Sequence, residues 1–323
     1  MPEVLLEIKN LIINFYTYRG IVKAINGVNL TIKKGEFFGL VGETGCGKSV
    51  TASAILNLVQ NPGKIERGEI LFKGKDILSM NEDEIRDRIR GKEITMIMQH
   101  PVAALNPVIK NGHQIAEALS KKMSEGEVKK RVIQLLKEVN IPEPEKIANQ
   151  YPHQLSGGMA QRVMIAMMLS SKPSLLIADE PTTALDVSIQ AQVLRLLKDL
   201  IEKHKASVLL ITHDLSVVAE TCDRVGVMYA GDMVEVGEVD QITNNPKHPY
   251  TIGLMRAIPS DYRKELVGIR GSVPDLVNPP PGCRFHPRCD YARDICKEKK
   301  PKTIQVESNH TVACFLYEGR KSG

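Results

Sequence analysis

No apolar run in this 323-residue chain is longer than seven residues, the stretch 163–169. A bilayer-spanning helix needs about 20, so any membrane association is expected to be peripheral. The N-terminus, MPEVLLEIKN, lacks the basic segment and long apolar stretch of a secretory signal, so the protein is expected to stay in the cytoplasm. A strong basic patch is missing too. Lysine and arginine number 43 against 38 acidic residues, and from Asp261 onward 12 basic residues face 8 acidic ones, so the surplus belongs to the tail. The near-neutral remainder argues against a nucleic-acid partner. Internal repeats and low-complexity tracts are absent. Hydrophobic residues at 42% and charged residues at 25% exclude a disordered or collagen-like chain. Cysteine is scarce until the end: Cys46 and Cys222 stand alone, whereas Cys283, Cys289, Cys296 and Cys314 fall within the last 41 residues. In a reducing compartment such a cluster suggests metal before disulfides.

What is present alternates between strand and helix. Leu6, Ile8, Leu11, Ile13 and Phe15 are mostly two apart, as in a half-buried strand, and the apolar run 37–41 precedes a helix predicted over 50–59. Ser124 and Glu127 form a capping-box pair ahead of Val128, Val132, Leu135, Leu136 and Val139, one helical face. A helical block is predicted over about 106–170. The runs 175–178 and 208–211 flank a helix with the stripe Ile189, Val193, Leu196, Leu197 and Leu200. This alternation predicts an α/β fold with buried parallel strands. After Gly237 the pattern dissolves into a proline-rich stretch ending at Pro279, Pro280 and Pro281, a natural boundary before the tail.

Residues Gly42-Glu43-Thr44-Gly45-Cys46-Gly47-Lys48-Ser49 satisfy G-x-x-x-x-G-K-[ST] between a predicted strand and helix. Glycines let the backbone curl so that N–H groups face phosphate oxygens, Lys48 reaches the β and γ phosphates, and Ser49 ligates Mg2+. Val50 continues this site into the helix, and Cys46 reads as a small packing residue. The strand 175–178 runs into Asp179 and Glu180, placed to point at Mg2+ and to polarise an attacking water.

Between these motifs lies Leu155-Ser156-Gly157-Gly158-Met159, which resembles the signature of ATP-binding-cassette proteins. The resemblance implies that Gln99 is the Q-loop glutamine, also near Mg2+, that Ala184, Leu185 and Asp186 form the D-loop, and that His213 is the switch histidine. It implies further that Ser156, Gly157 and Gly158 close on the ATP of a second, related cassette. Met159 departs from the family's commoner glutamine. An aromatic ring is expected on adenine near the chain start, where Tyr16 and Tyr18 compete and Tyr18 is favoured by its neighbour Gly20.

The tail spacing, Cys283-x5-Cys289-x6-Cys296-x17-Cys314, lacks the paired short knuckles of zinc sites, and four thiolates suit an iron–sulfur cluster. The stretch Asn278 to Cys289, with Lys247 to Thr251 before it and His310 to Cys314 after it, resembles the C-terminal extension of oligopeptide and dipeptide importer ATPases. That resemblance implies a [4Fe-4S] cluster on these four cysteines. It also implies an ABC-type nucleotide-binding domain over 1–258, with a RecA-like α/β core, an antiparallel β subdomain and the helical subdomain at about 106–170. A small Cys-rich C-terminal extension follows over 259–323. The expected partners are a second related ATPase subunit, two transmembrane permease subunits and, indirectly, an extracellular peptide-binding protein. Import of nickel or a sugar, or a soluble ATPase of DNA repair or translation, are the alternatives.

Overall fold

The computed structural model describes residues 3–99, 101–119, 123–182, 186–257 and 268–319. The chain divides into two compact units, 1–79 with 210–323, and 80–209.

The first unit opens with β1 (Val4–Thr17) and β2 (Gly20–Lys33), then β3 (Phe37–Val41), the helix Lys48–Ile55, β4 (Gly63–Phe72) and β5 (Lys75–Asp76). An antiparallel sheet has the order β2-β1-β4-β5. Leu6, Ile8, Leu11 and Ile13 are buried as predicted. The three-residue step from Ile8 to Leu11 is a bulge, where the β1–β2 register shifts and Asn10 takes φ 46°; the extra residue returns the apolar side chains to one face. The helix predicted over 50–59 begins two residues earlier and stops at Ile55, before Asn57 in the left-handed region at φ 50°.

In the second unit β6 (Ile94–Ile97) and β7 (Leu175–Asp179) pair in parallel, with Ile97 opposite Ala178. The predicted helical block comprises Asn111–Glu117, Glu125–Glu138, Pro144–Asn149 and Gly157–Leu169. The Glu127 carboxylate accepts from the Ser124 N–H (2.8 Å) and hydroxyl (2.6 Å), so the capping box forms. Val132, Leu135, Leu136 and Val139 are buried on the predicted face, and Val128 is half-buried. The helix Val187–His204 buries Val193, Leu196, Leu197 and Leu200, with Ile189 half-buried. β8 (Ser207–Ile211), buried throughout, leads back to the first unit.

There, β9 (Arg224–Tyr229) pairs in parallel with β3 and antiparallel with β10 (Asp232–Glu238). A two-residue turn, Ala230 (φ 48°) and Gly231 (φ 85°), joins them, the doubly left-handed geometry that suits a twisted hairpin. The tail adds β11 (Ile304–Glu307) and β12 (His310–Val312), and β12 pairs with β10. Order therefore continues past Gly237, where sequence pattern fails: the helices Val239–Asn244 and Pro249–Arg256 and these short strands are too brief to display a period. Among the described residues no helix is long and apolar enough to cross a membrane.

β12 is locked to β10 by the buried Glu235 carboxylate, which accepts from His310 Nε2 (2.7 Å) and from the N–H groups of Lys247 (2.7 Å) and His248 (2.9 Å). Glu235→Ala would strand the buried donors of His248 and His310 and the partly buried N–H of Lys247. We expect it to destabilise the protein by about 3 kcal/mol or more in denaturant unfolding; a loss below about 1 kcal/mol would show that these donors find other partners.

Candidate functional site

Beyond Val41 the chain curls through residues 42–47 before the helix Lys48–Ile55. Gly42, Gly45 and Gly47 have φ of 149°, 82° and 108°. At Gly47 a Cβ would stand 2.6 Å from Ile25 Cδ1 and 3.0 Å from the Ala24 carbonyl oxygen, so both space and backbone exclude a side chain. The Gly231 N–H donates to the Cys46 carbonyl (2.9 Å), bracing the curl. Cys46 is fully buried and burial pushes its thiol pKa up, consistent with packing. The buried Lys48 ammonium donates to the carbonyls of Gly42 (2.7 Å) and Glu43 (3.3 Å). Thr44, Gly45 and Ser49 are exposed on the loop, and Val50 is half-buried.

The same unit holds three further features. The Thr212 N–H donates to Leu40 (3.3 Å), which sets the exposed His213 at the same end of the sheet as Gly42. Tyr18, at the β1–β2 turn, is 91% exposed, with its hydroxyl accepting from Arg19 Nε (3.0 Å). Tyr16 instead donates to Glu66 (2.7 Å). Glu43 is held at both ends: its N–H donates to the Tyr250 hydroxyl (2.9 Å), and its carboxylate accepts from Arg288 Nη1 (2.6 Å) and Nη2 (3.0 Å). The hydrogen bond to Glu43 raises the Arg288 pKa, so the guanidinium stays charged.

In the second unit, Gln99 Nε2 donates to Glu180 Oε2 at 2.9 Å, as expected of residues following paired parallel strands. Glu180 lies in the left-handed region at φ 45°, a costly conformation for a residue with a side chain, directly after the buried Asp179. Ser156 caps the helix Gly157–Leu169, its hydroxyl accepting from the Met159 N–H at 3.4 Å, and Ser156 and Gly157 are exposed. A Cβ on Gly158 would meet Ile189 Cγ2 at 3.0 Å, which brings the first turns of two helices together. Asp186 caps the second of these, accepting from Ile189 N–H (3.0 Å). Ala184 and Leu185 lie outside the described residues.

Cys283, Cys289, Cys296 and Cys314 line one small pocket with His248 and Phe285. Burial first, then the neighbouring thiols, pushes the Cys283 pKa up to about 12; burial likewise pushes Cys314 up to about 11. The expected metal centre is not present as a ready-made ion cage: among the described residues no three His, Cys, Asp or Glu side chains group to hold a metal ion. Sequence reading did not find the Arg288–Glu43 pair, because 245 residues separate the partners and no period spans them. Its one visible signal was the position of Arg288 beside Cys289.

Residues 25–183 match the family model for the ABC transporter, and residues 234–296 match that for the oligopeptide/dipeptide transporter C-terminal region. The oligopeptide transport ATP-binding protein OppD of Bacillus subtilis is 53% identical over 97% of this chain and 88% of its own length. The dipeptide transport ATP-binding protein DppD of the same organism is 49% identical, over 98% and 96%. This chain belongs to the ATP-binding proteins of the oligopeptide and dipeptide ABC transporter family. Solved structures share the ABC fold. A dimeric ATP-binding cassette in a post-hydrolysis state, bound to ADP and Pi, has a TM-score of 0.65 and 30% identity over 73% of this chain and 99% of its own. The protein cbiO1 from Clostridium perfringens, part of the ABC transporter complex cbiONQ, has a TM-score of 0.65 and 29% identity, over 75% and 92%.

For this ABC ATPase the curl at Gly47 generates a direct test. Gly47→Ala should weaken ATP binding at least about tenfold, since backbone strain of about 1–3 kcal/mol falls on the loop itself. Titration with a fluorescent ATP analogue would check it, and unchanged affinity would show that the loop tolerates another shape.

Proposed function

We propose that this chain is the ATP-hydrolysing subunit that powers import of oligopeptides or dipeptides through a membrane ABC transporter. The observation that carries the reading is the glycine-curled loop 42–49, in a chain whose C-terminal region also matches the peptide-transporter model. The relatives named for oligopeptide and dipeptide transport favour peptide over nickel or sugar. We assign the ATPase domain to 1–258 and the extension to 259–323, at the cytoplasmic face of the membrane. Its partners would be a second related ATPase subunit, two permease subunits and, indirectly, an extracellular peptide-binding protein.

In this reading the loop from Gly42 to Ser49, with Val50, cradles the phosphates, and Lys48 exchanges its loop carbonyls for β and γ oxygens. Tyr18 offers its exposed ring to adenine. Ser49, Asp179 and Gln99 are oxygen donors of the hard type that Mg2+ prefers, and the ion would neutralise phosphate charge. Glu180 orients and polarises water, with Gln99 holding its carboxylate; His213 faces the γ-phosphate. Ser156, Gly157 and Gly158, at an exposed helix start, together with Asp186, would serve the partner cassette's nucleotide. Glu180→Gln keeps the side chain's shape and removes its charge. ATP should still bind while turnover of the assembled complex falls at least about 100-fold. Hydrolysis within about twofold of wild type would remove Glu180 as the principal base.

The four pocket cysteines supply the donor set of a [4Fe-4S] cluster, which is wider than a single-ion cage. Anaerobically purified protein should then contain about four irons per chain and absorb near ~400 nm, and Cys289→Ser should lose both. Colourless protein with stoichiometric zinc would overturn the assignment.

A further inference from the structure

Two arginines lie between Cys283 and Cys289, and both reach the phosphate loop or its support. Arg284 donates to the carbonyl of Ala230 and to that of Lys23 (3.0 Å). The next residue, Gly231, donates its N–H to Cys46. Arg288 is 6% exposed. Its two terminal nitrogens grip the Glu43 carboxylate at 2.6 and 3.0 Å, and its Nε donates to the Arg270 carbonyl at 2.8 Å. This is no loose surface pair: it is bidentate, and its guanidinium is buried and anchored at the third nitrogen, while the Glu43 carboxylate stays partly exposed.

Glu43 directly follows the first glycine of the loop, and its own N–H is committed to Tyr250. A loop rich in left-handed glycine has little rigidity of its own, and a loop that must order itself upon binding loses affinity. We propose that Arg288 is a positioning residue for ATP: its paired contact with Glu43 holds the phosphate loop in the ligand-ready curl, so that the folded cysteine-bearing tail sets the affinity of the nucleotide site. The inference rests on reading residues 42–49 as the ATP-binding loop.

The test is equilibrium titration of the full chain with a fluorescent ATP analogue, alongside thermal melts without nucleotide. Arg288→Ala should weaken binding about tenfold, the scale of one lost hydrogen bond to a charged group. Arg288→Lys, which keeps charge but not the fork, should recover part of the affinity. Combining Glu43→Gln with Arg288→Ala should cost no more than Arg288→Ala alone, because the two residues act through one contact. A lowered melting temperature with ATP affinity within about twofold of wild type would reduce Arg288 to a structural residue, and additive losses in the double variant would break the claimed pairing. If Arg288→Ala does not fold, Arg288→Lys and Glu43→Gln carry the same comparison. Lys48→Ala in the same titration separates the two readings. Retained affinity there would remove the phosphate-loop assignment itself; lost affinity there, with unchanged affinity in the Arg288 variants, would remove only the brace.

Discussion

The hydrogen bond from the Gly231 N–H to the Cys46 carbonyl joins two backbone turns that approach more closely than side chains allow. A Cβ on Gly231 would stand 2.5 Å from the Ala24 carbonyl oxygen, and one on Gly47 would stand 3.0 Å from the same oxygen. The Gly231 carbonyl in turn accepts from the Asn26 N–H at 2.9 Å. A strand, a loop and a hairpin turn thus meet backbone to backbone. The curl around Lys48 is therefore built by the sheet beneath it rather than by the loop's own preferences. That arrangement suits a loop whose outward surface, at Thr44, Gly45 and Ser49, has to remain open to a ligand.

Ionic and polar pairs, several of them buried, explain why the tail cannot be regarded as a detachable bead. Glu43, Asp232 and Glu235 all precede residue 258, yet each has a partner in the tail: Arg288 for the first, Arg284 and Lys300 for the second, His310 for the third. Replacing such pairs with apolar residues is often neutral, whereas removing one member leaves an uncompensated charge or donor. The pairs therefore contribute less as net stability than as a constraint: the first unit reaches its lowest free energy only with the tail in place. The proline stretch marks a change in composition, but the forces cross it.

Much of this was legible in the sequence, for identifiable reasons. Long amphipathic helices announce themselves, as at Val132, Leu135 and Leu136, because several turns repeat the same burial. The loop 42–49 was legible because its chemistry demands glycines and a lysine at fixed separations. Helix ends were less so: Asn57 ended one early through a local left-handed turn that apolar spacing does not register. The tail's hairpin was hidden by brevity. The pairs Arg288–Glu43 and His310–Glu235 were hidden because a polar contact between distant segments leaves no period, only single polar residues resembling any others on a surface. Tyr18 is favoured over Tyr16 only through its neighbour Gly20, and the contact of Tyr16 with Glu66 is one that only folding reveals.

The second unit follows a complementary logic. Glu180 occupies a backbone conformation that costs free energy, and its carboxylate is met by the Gln99 amide at 2.9 Å. A carboxylate carried on a strained backbone and met by a neutral donor gives up rotational freedom, so it is oriented before any ligand arrives. The start of the helix Gly157–Leu169 is arranged in the opposite sense. The Ser156 hydroxyl meets the Met159 N–H at 3.4 Å, a long and therefore weak cap, and the first two positions are solvent-exposed. Orphan donors at a helix start carry partial positive charge, and water is a modest substitute for an anion there. One half of the unit's chemistry is thus satisfied internally at Glu180, while the other half, at Ser156 and Gly157, faces outward and gains most from an anionic group brought by another molecule.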